Sequence, residues 1–247
     1  LITSALLFLL YLIFGRKKPK DSTIYGKDGF VIIASAWILW SVFGALPFYI
    51  SDSIHSYVDA LFETISGFTT TGSTILNDVE GLSHCMLIWR SFLNWLGGMG
   101  VLVFLLAFTG EKGKGFTMHL LRAESPGPDV GKLVPKMRQT AIILYSIYIA
   151  MTIINIILLV IGDMPLFEAV CHAFGTAGTG GFSNHSASIG FYDSEYFEVV
   201  IGVFMLLFGV NFNLYFLMLL RRFRIALSSE ELHWYLGFDA FSVITIA

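Results

Sequence analysis

Four long apolar runs constrain the fold of this chain more than any other feature of its sequence. Each is long enough to cross the hydrocarbon core of a bilayer as an α-helix, which takes about 20 residues. Lipid offers the backbone no hydrogen-bond partners, so a chain with such runs must form helices that satisfy their own polar groups. The sequence therefore predicts an all-α membrane protein whose spans lie at 30–50, 83–108, 140–161 and 199–220.

Composition agrees with a chain that is solvated by lipid. Charged residues make up 13% of the sequence, which is about half of the share found in soluble domains. The formal net charge of −3 gives no reason to expect a nucleic-acid partner. Cys85 and Cys171 show no CxxC spacing, so we predict neither zinc nor redox chemistry.

The charged residues indicate how the chain is oriented. Lys and Arg cluster in three segments, which the positive-inside rule assigns to the cytoplasm: 16–27, 112–138 and 221–224. The opposite segments, 51–82 and 162–196, contain no Lys or Arg but hold many acids: Asp52, Asp59, Glu63, Asp78 and Glu80, then Asp163, Glu168, Asp193 and Glu195. Exported loops avoid Lys and Arg in general, so the absence of these residues alone does not indicate a cation pathway. The abundance of acids is the informative observation. We expect an acidic outer vestibule that concentrates cations.

Each outward segment contains an apolar run that is too short to span, at 56–68 and at 165–174. Runs of this length fit re-entrant helices. Each run ends in a Gly/Thr tract and is flanked by spans, so the sequence predicts a tandem repeat of helix, re-entrant pore helix and helix. The Leu-Phe-Glu triplets in the two runs are 105 positions apart, whereas Gly72 and Gly181 are 109 apart. We therefore expect about one extra helical turn before the second tract.

The Gly/Thr tracts are the candidate functional residues. Irregular backbone at membrane depth is tolerated where it lines a water-filled cavity, and backbone carbonyls replace the hydration shell of a monovalent cation without adding a trapping charge. Glycine permits the positive φ that such loops often need. Ser/Thr/Gly clusters are also common in ordinary turns, which is the alternative. The predicted filter residues are Thr70, Thr71, Gly72 and Ser73, with Thr179, Gly180, Gly181 and Phe182. The residues expected to coordinate the ion are Thr70, Thr71, Gly72, Thr179, Gly180 and Gly181.

Four stretches carry a resemblance to a known family: SGFTTTGST at 66–74, WRSFLNWLGGMG at 89–100, LLRAESPGP at 120–128 and CHAFGTAGTGGFSNH at 171–185. With them the chain resembles the membrane subunit of the bacterial Trk/Ktr potassium transporter family. The resemblance implies a fold related to potassium channels, with four repeats around a central pore. Each repeat gives one filter glycine, here Gly72 and Gly181, and glycine in both positions favours potassium.

Only two of the four repeats fall within this sequence. We assign 29–110 to the first repeat, 111–138 to a cytoplasmic linker and 139–225 to the second repeat. We interpret 1–28 as the end of a preceding transmembrane helix with a cytoplasmic loop, and 226–247 as the start of a third repeat. We therefore expect the N-terminal half of a longer subunit, unless two such chains assemble into one pore.

The resemblance implies potassium uptake across the bacterial inner membrane by a multi-pass protein that is not an enzyme. It implies no bound cofactor, with potassium as the transported ion. The expected partners are the bilayer, a second copy in a homodimer and a cytoplasmic nucleotide-binding regulatory subunit, since the chain has no Walker motif. A structural membrane scaffold and a membrane-embedded enzyme are the alternatives.

Arg90 is the only positive charge within the outward half of a span. A charge at membrane depth is costly and is usually paired. Glu63 and Glu168, both on the predicted pore helices, are the candidate partners. A structural role for Arg90 and a direct role in ion control both remain open at this point.

Overall fold

The computed structural model describes residues 26–100 and 137–246, and the regular secondary structure of these residues is helical. The first repeat contains α1 (Gly26–Ile50), α2 (Tyr57–Phe68) and α3 (His84–Gly98). The second contains α4 (Met137–Ile161), α5 (Leu166–Ala177), a 3-10 helix (Ser188–Tyr192), α6 (Glu195–Gly209) and α7 (Phe212–Leu219). The helices α8 (Phe223–Leu227) and α9 (Glu230–Ile246) follow.

The long helices agree in part with the predicted spans. The predictions 30–50 and 140–161 correspond to α1 and α4, and 83–108 corresponds to α3 as far as Gly98. Within the described residues, Ala141–Ile161 is the one helix that is long and apolar enough to cross a membrane unbroken. Much of the predicted linker, and of the segment before the first repeat, lies outside the described residues.

The prediction of one continuous span at 199–220 is wrong. The chain bends by 85° between α6 and α7. Val210 is extended, with ψ 138°, and the side chain of Asn211 caps the new helix by accepting a hydrogen bond from the amide of Asn213. Asparagine is a preferred N-cap because its side-chain oxygen replaces a missing helical acceptor. The apolar residues on both sides of Asn211 hide this break from a hydropathy reading.

Large apolar side chains are exposed on the faces of the spanning helices that do not pack against the rest of the chain. On α4, Ile153, Ile154 and Ile157 are each about half exposed in the isolated chain. A soluble monomer rarely exposes contiguous apolar surface of this kind, whereas a lipid-facing helix must do so. These faces are consistent with a helix that is solvated by acyl chains.

The two repeats have short helices of the same length, so the predicted extra turn is also wrong. Both α2 and α5 contain 12 residues. They begin 109 positions apart, which is the spacing of Gly72 and Gly181. The difference lies earlier, because the connection before α5 is shorter than the connection before α2. In this register His172, not Glu168, is the counterpart of Glu63, and the two Leu-Phe-Glu triplets are not equivalent.

Helix α3 packs against both short helices, α2 and α5. Its Leu93 packs against Phe68 of α2 in one buried apolar cluster, together with Phe48 of α1. Its other face lies against α5, where the rings of Trp95 and Phe174 are 5.4 Å apart. The first repeat therefore contributes directly to the surroundings of the second repeat's tract.

Candidate functional site

The two Gly/Thr tracts, 70–73 (the first tract) and 179–182 (the second tract), follow the short helices with the same backbone conformation. The amide of Thr71 donates to the carbonyl of Ser66 at 2.9 Å. In the second repeat the equivalent amide of Gly180 donates to the carbonyl of Gly175 at 3.2 Å. Such bonds turn the chain back over the last turn of the helix. The repeat predicted from sequence is therefore a repeat of backbone geometry.

Left-handed backbone occurs at two positions of each tract. Gly72 has φ +73° and Gly181 has φ +76°, as the glycine argument predicts. Thr70 and Thr179 have φ +54° and +55°, which sequence reasoning missed. A β-branched residue in this region is a strained exception, and such strain tends to occur at functional sites. No sequence signal identifies these threonines, because their type argues against the conformation.

The tracts touch each other at Gly72 and Gly180. A Cβ placed on Gly72 would overlap the carbonyl oxygen of Gly180, well inside the 3.0 Å that Cβ atoms keep from other heavy atoms. A Cβ placed on Gly181 would meet no described atom within 4 Å. The structure thus brings the predicted residues of the two repeats together, with one glycine in the contact and the other facing open space.

The last residue of each tract is turned back toward its own short helix. The hydroxyl of Ser66 donates to the carbonyl of Ser73 at 2.5 Å. In the second repeat a Cβ on Gly175 would lie within 2.5 Å of the carbonyl of Phe182, so that carbonyl has the same orientation. The side chain of Phe182 is buried, with 3% exposed. Ser73 and Phe182 therefore terminate the tracts, and their carbonyls face the protein.

Asn94 of α3 supports the second tract from behind. It is fully buried, and its amide nitrogen donates to the carbonyl of Gly175 at 3.1 Å. Both Gly178 and Gly180 lie so close to this side chain that a Cβ on either would overlap it. By its type alone, an asparagine within an apolar span such as Asn94 indicates no more than an interhelical hydrogen bond. Its contact with the tract depends on residues more than 80 positions away, which no local motif reveals.

The structure selects Glu63 as the partner of Arg90. Their atoms Nε and Oε1 are 2.6 Å apart, and 3% and 0% of the two side chains are exposed. Glu63 also accepts hydrogen bonds from the hydroxyl of Thr74 and the amide of Ile75, each at 3.0 Å. Because Glu63 is fully buried, its predicted place on the acidic outer surface is wrong.

Glu168 lies in a different cluster, at the outer surface of the second repeat. It accepts a hydrogen bond from the hydroxyl of Tyr192, and its Oε2 is 3.7 Å from Nε2 of His185. The other ring nitrogen of His185 is 3.6 Å from Oε1 of Glu80. His185 therefore stands between acids of the two outer segments, and Glu168 has no part in pairing Arg90.

A second contact joins the outer segments. Glu80 accepts a hydrogen bond from the amide of Ser186 at 2.8 Å and another from its hydroxyl at 2.6 Å. These donors stabilise the carboxylate and lower the pKa of Glu80 to about 2. The acids of the outer segments are thus partly used in structural contacts, which the charge count alone does not show.

We expect the contact between Glu80 and Ser186 to survive mild acid. The folded-state pKa lies below the ordinary value of 4.5, so the contribution to stability is complete above pH 4.5 and is lost as pH falls toward about 2. Hydrogen exchange of the Ser186 amide, corrected for the intrinsic rate, should remain slow at pH 4 and become faster near pH 2. Glu80→Gln should accelerate exchange at neutral pH, whereas Glu198→Gln, at an exposed acid of α6, should not. Equal rates in the Glu80 variant and the parent would contradict the contact.

Known transport proteins resemble this chain in sequence and in fold. A family described as a cation transport protein, TrkH, matches residues 3–238. The Trk system potassium uptake protein TrkG of Escherichia coli (strain K12) is 41% identical over 198 residues, which cover 79% of this chain and 41% of that protein. TrkH of Salmonella typhimurium is 39% identical over 204 residues, or 82% of this chain and 42% of the relative.

One solved structure agrees with the fold. The crystal structure of the potassium transporter TrkH from Vibrio parahaemolyticus superimposes with a TM-score of 0.70 and 33% identity, and the match covers 86% of this chain and 42% of that one. The chain spans less than half of the length of each of these three proteins.

Proposed function

The chain belongs to the TrkH family of cation transport proteins, and from this premise we propose that it forms part of a pore for potassium uptake across the bacterial cell membrane. One observation carries the proposal: two re-entrant helices end in tracts of the same left-handed backbone, and these tracts meet at Gly72 and Gly180. A packing turn has no need for this strained geometry twice at one point of contact.

In this proposal the carbonyls that precede the end of each tract replace the hydration shell of potassium. They belong to Thr70, Thr71 and Gly72 in the first tract and to Thr179, Gly180 and Gly181 in the second. Neutral oxygens bind a dehydrated monovalent cation but still allow it to leave. The carbonyls of Ser73 and Phe182 point toward the short helices and away from the proposed ion path. This orientation supports a row of oxygens that ends at Gly72 and Gly181.

The short helices favour a cation at the tracts. Both α2 and α5 end where a tract begins, so the negative end of each helix dipole is directed at the proposed ion path. Exposed acids of the outer segments, such as Asp52 and Asp78, attract cations toward the same side. Arg90 does not oppose this field strongly, because Glu63 compensates its charge at 2.6 Å.

Two tracts do not close a ring, so the proposed filter needs two more segments. The relatives are more than twice as long as this match, and further repeats in the same polypeptide are the simplest source. A homodimer and a cytoplasmic nucleotide-binding subunit remain part of the proposal. Membership of a family of cation transport proteins argues against a membrane-embedded enzyme. A measurement of ion flux distinguishes a pore from a structural scaffold.

The direct test is ion flux through the purified full-length protein in liposomes. We expect potassium to enter faster than sodium under the same gradient, because the carbonyl row is built for the ion that dehydrates more readily. Protein-free liposomes are the control. Absence of potassium flux from correctly folded protein would reject the proposal and favour the scaffold.

A further inference from the structure

We propose that Arg90 is a positioning residue that ties the outer ends of the two tracts together and thereby sets how well the pore distinguishes potassium from sodium. The inference rests on the proposed function, because the separation of the tracts matters for selectivity only if an ion passes beside them. It concerns one side chain of α3 that reaches both repeats.

The connection to the first tract runs through Glu63. This carboxylate is fully buried on α2 and holds the chain just after the tract, through the hydroxyl of Thr74 and the amide of Ile75. Arg90 donates from Nε to the same carboxylate at 2.6 Å. Any movement of the guanidinium is therefore transmitted to the end of the first tract.

The connection to the second tract is direct. Arg90 donates from Nη1 to the carbonyl of Ser183 at 2.8 Å, and its Cζ lies 3.7 Å from the centre of the Phe182 ring. Ser183 also pairs through its hydroxyl with Nε2 of His172 at 3.0 Å. His172 is the counterpart of Glu63, so each short helix already holds its own tract, and Arg90 adds the connection between repeats.

The chemistry of arginine suits this double contact. The guanidinium presents several N–H donors in a rigid plane, so Nε and Nη1 bind two acceptors that lie in different directions. A lysine ammonium is a single point charge on a flexible stem and cannot hold both at fixed positions. Burial strengthens the preference, because either acceptor would otherwise lose a charge-assisted hydrogen bond without water to replace it.

A direct action of the Arg90 charge on the ion is the competing explanation. The close contact with Glu63 leaves the pair with no net charge, so its field at the tract is weak. The two explanations differ in what lysine does. Lysine keeps the charge but loses the two-way geometry, so only the positioning role predicts a change in selectivity for Arg90→Lys.

The test measures potassium and sodium flux through the full-length protein in liposomes, at equal amounts of folded protein. We expect Arg90→Lys to lower the potassium-to-sodium flux ratio about fivefold to tenfold, as expected when one charge-assisted hydrogen bond no longer fixes a site. The matched control is Arg222→Lys at an exposed arginine, which should retain the parent ratio. A merely structural role would lower the yield of folded protein without changing the ratio.

Thr74→Val is a gentler second variant, because it keeps the shape of the side chain but removes its hydrogen bond to Glu63. We expect a smaller loss of selectivity in the same direction, and this variant decides if Arg90→Lys does not fold. A parent-like ratio in Arg90→Lys, or in Thr74→Val where that variant decides, overturns the inference. Absence of potassium flux in the parent rejects the proposed function instead, so the two failures are distinguishable.

Discussion

Replacing Gly72 by alanine is expected to reduce selective potassium uptake severely. The new Cβ would overlap the carbonyl oxygen of Gly180, so the tracts would have to separate. The left-handed φ of +73° would add about 1–2 kcal/mol of backbone strain for a residue with a Cβ. We expect potassium flux in liposomes to fall about 100-fold, the effect that a displacement of about 1 Å has at a preorganised site.

Gly181→Ala is the matched control for this prediction. Gly181 has nearly the same φ, +76°, but a Cβ there meets no described atom within 4 Å. Among the described residues, alanine at this position adds conformational strain without overlap, so any larger loss in Gly72→Ala measures the contact with Gly180. A smaller loss in Gly72→Ala than in Gly181→Ala would contradict that contact as the cause. Parent-like flux and selectivity in Gly72→Ala would reject the assignment of the first tract as a filter.

The parts of this fold that depend on local sequence were predictable. Helical spans follow from apolar runs, and the short helices follow from runs that end in Gly/Thr tracts. The register between the repeats could not be predicted, because it depends on the lengths of the connections before α2 and α5. The Leu-Phe-Glu triplets suggested a correspondence of Glu63 with Glu168, but the backbone equates Glu63 with His172.

The side-chain partners of the site were predictable only in part. Charge arguments left Glu63 and Glu168 as equal candidates for Arg90, because both lie on short helices that follow a span. The structure distinguishes them by depth: Glu63 faces the interior beside α3, and Glu168 faces the outer cluster around His185. The contact of Arg90 with the Ser183 carbonyl involves a backbone atom, for which no residue type is diagnostic.

Replacing Gly97 by alanine should destabilise the protein, although alanine is the better helix former. Gly97 lies in α3, and a Cβ there would overlap the carbonyl oxygen of Phe68, the last residue of α2. Helix propensity would favour alanine by about 1 kcal/mol, but overpacking of a close contact costs about 1–3 kcal/mol. We expect a lower thermal unfolding temperature in detergent, together with reduced potassium uptake, because the displaced carbonyl adjoins the first tract.

Gly202→Ala provides the opposite case within the same chain. Gly202 lies inside α6, and a Cβ there meets no described atom within 4 Å, so helix propensity acts alone and the unfolding temperature should rise or stay unchanged. Opposite shifts in the two variants would show that the approach of α3 to α2 requires glycine. If Gly97→Ala behaved like Gly202→Ala, then α3 would not lie against the end of α2. The contacts that Arg90 makes from the same helix would then lose their structural basis. This pair of variants therefore tests the packing of α3 against the short helices.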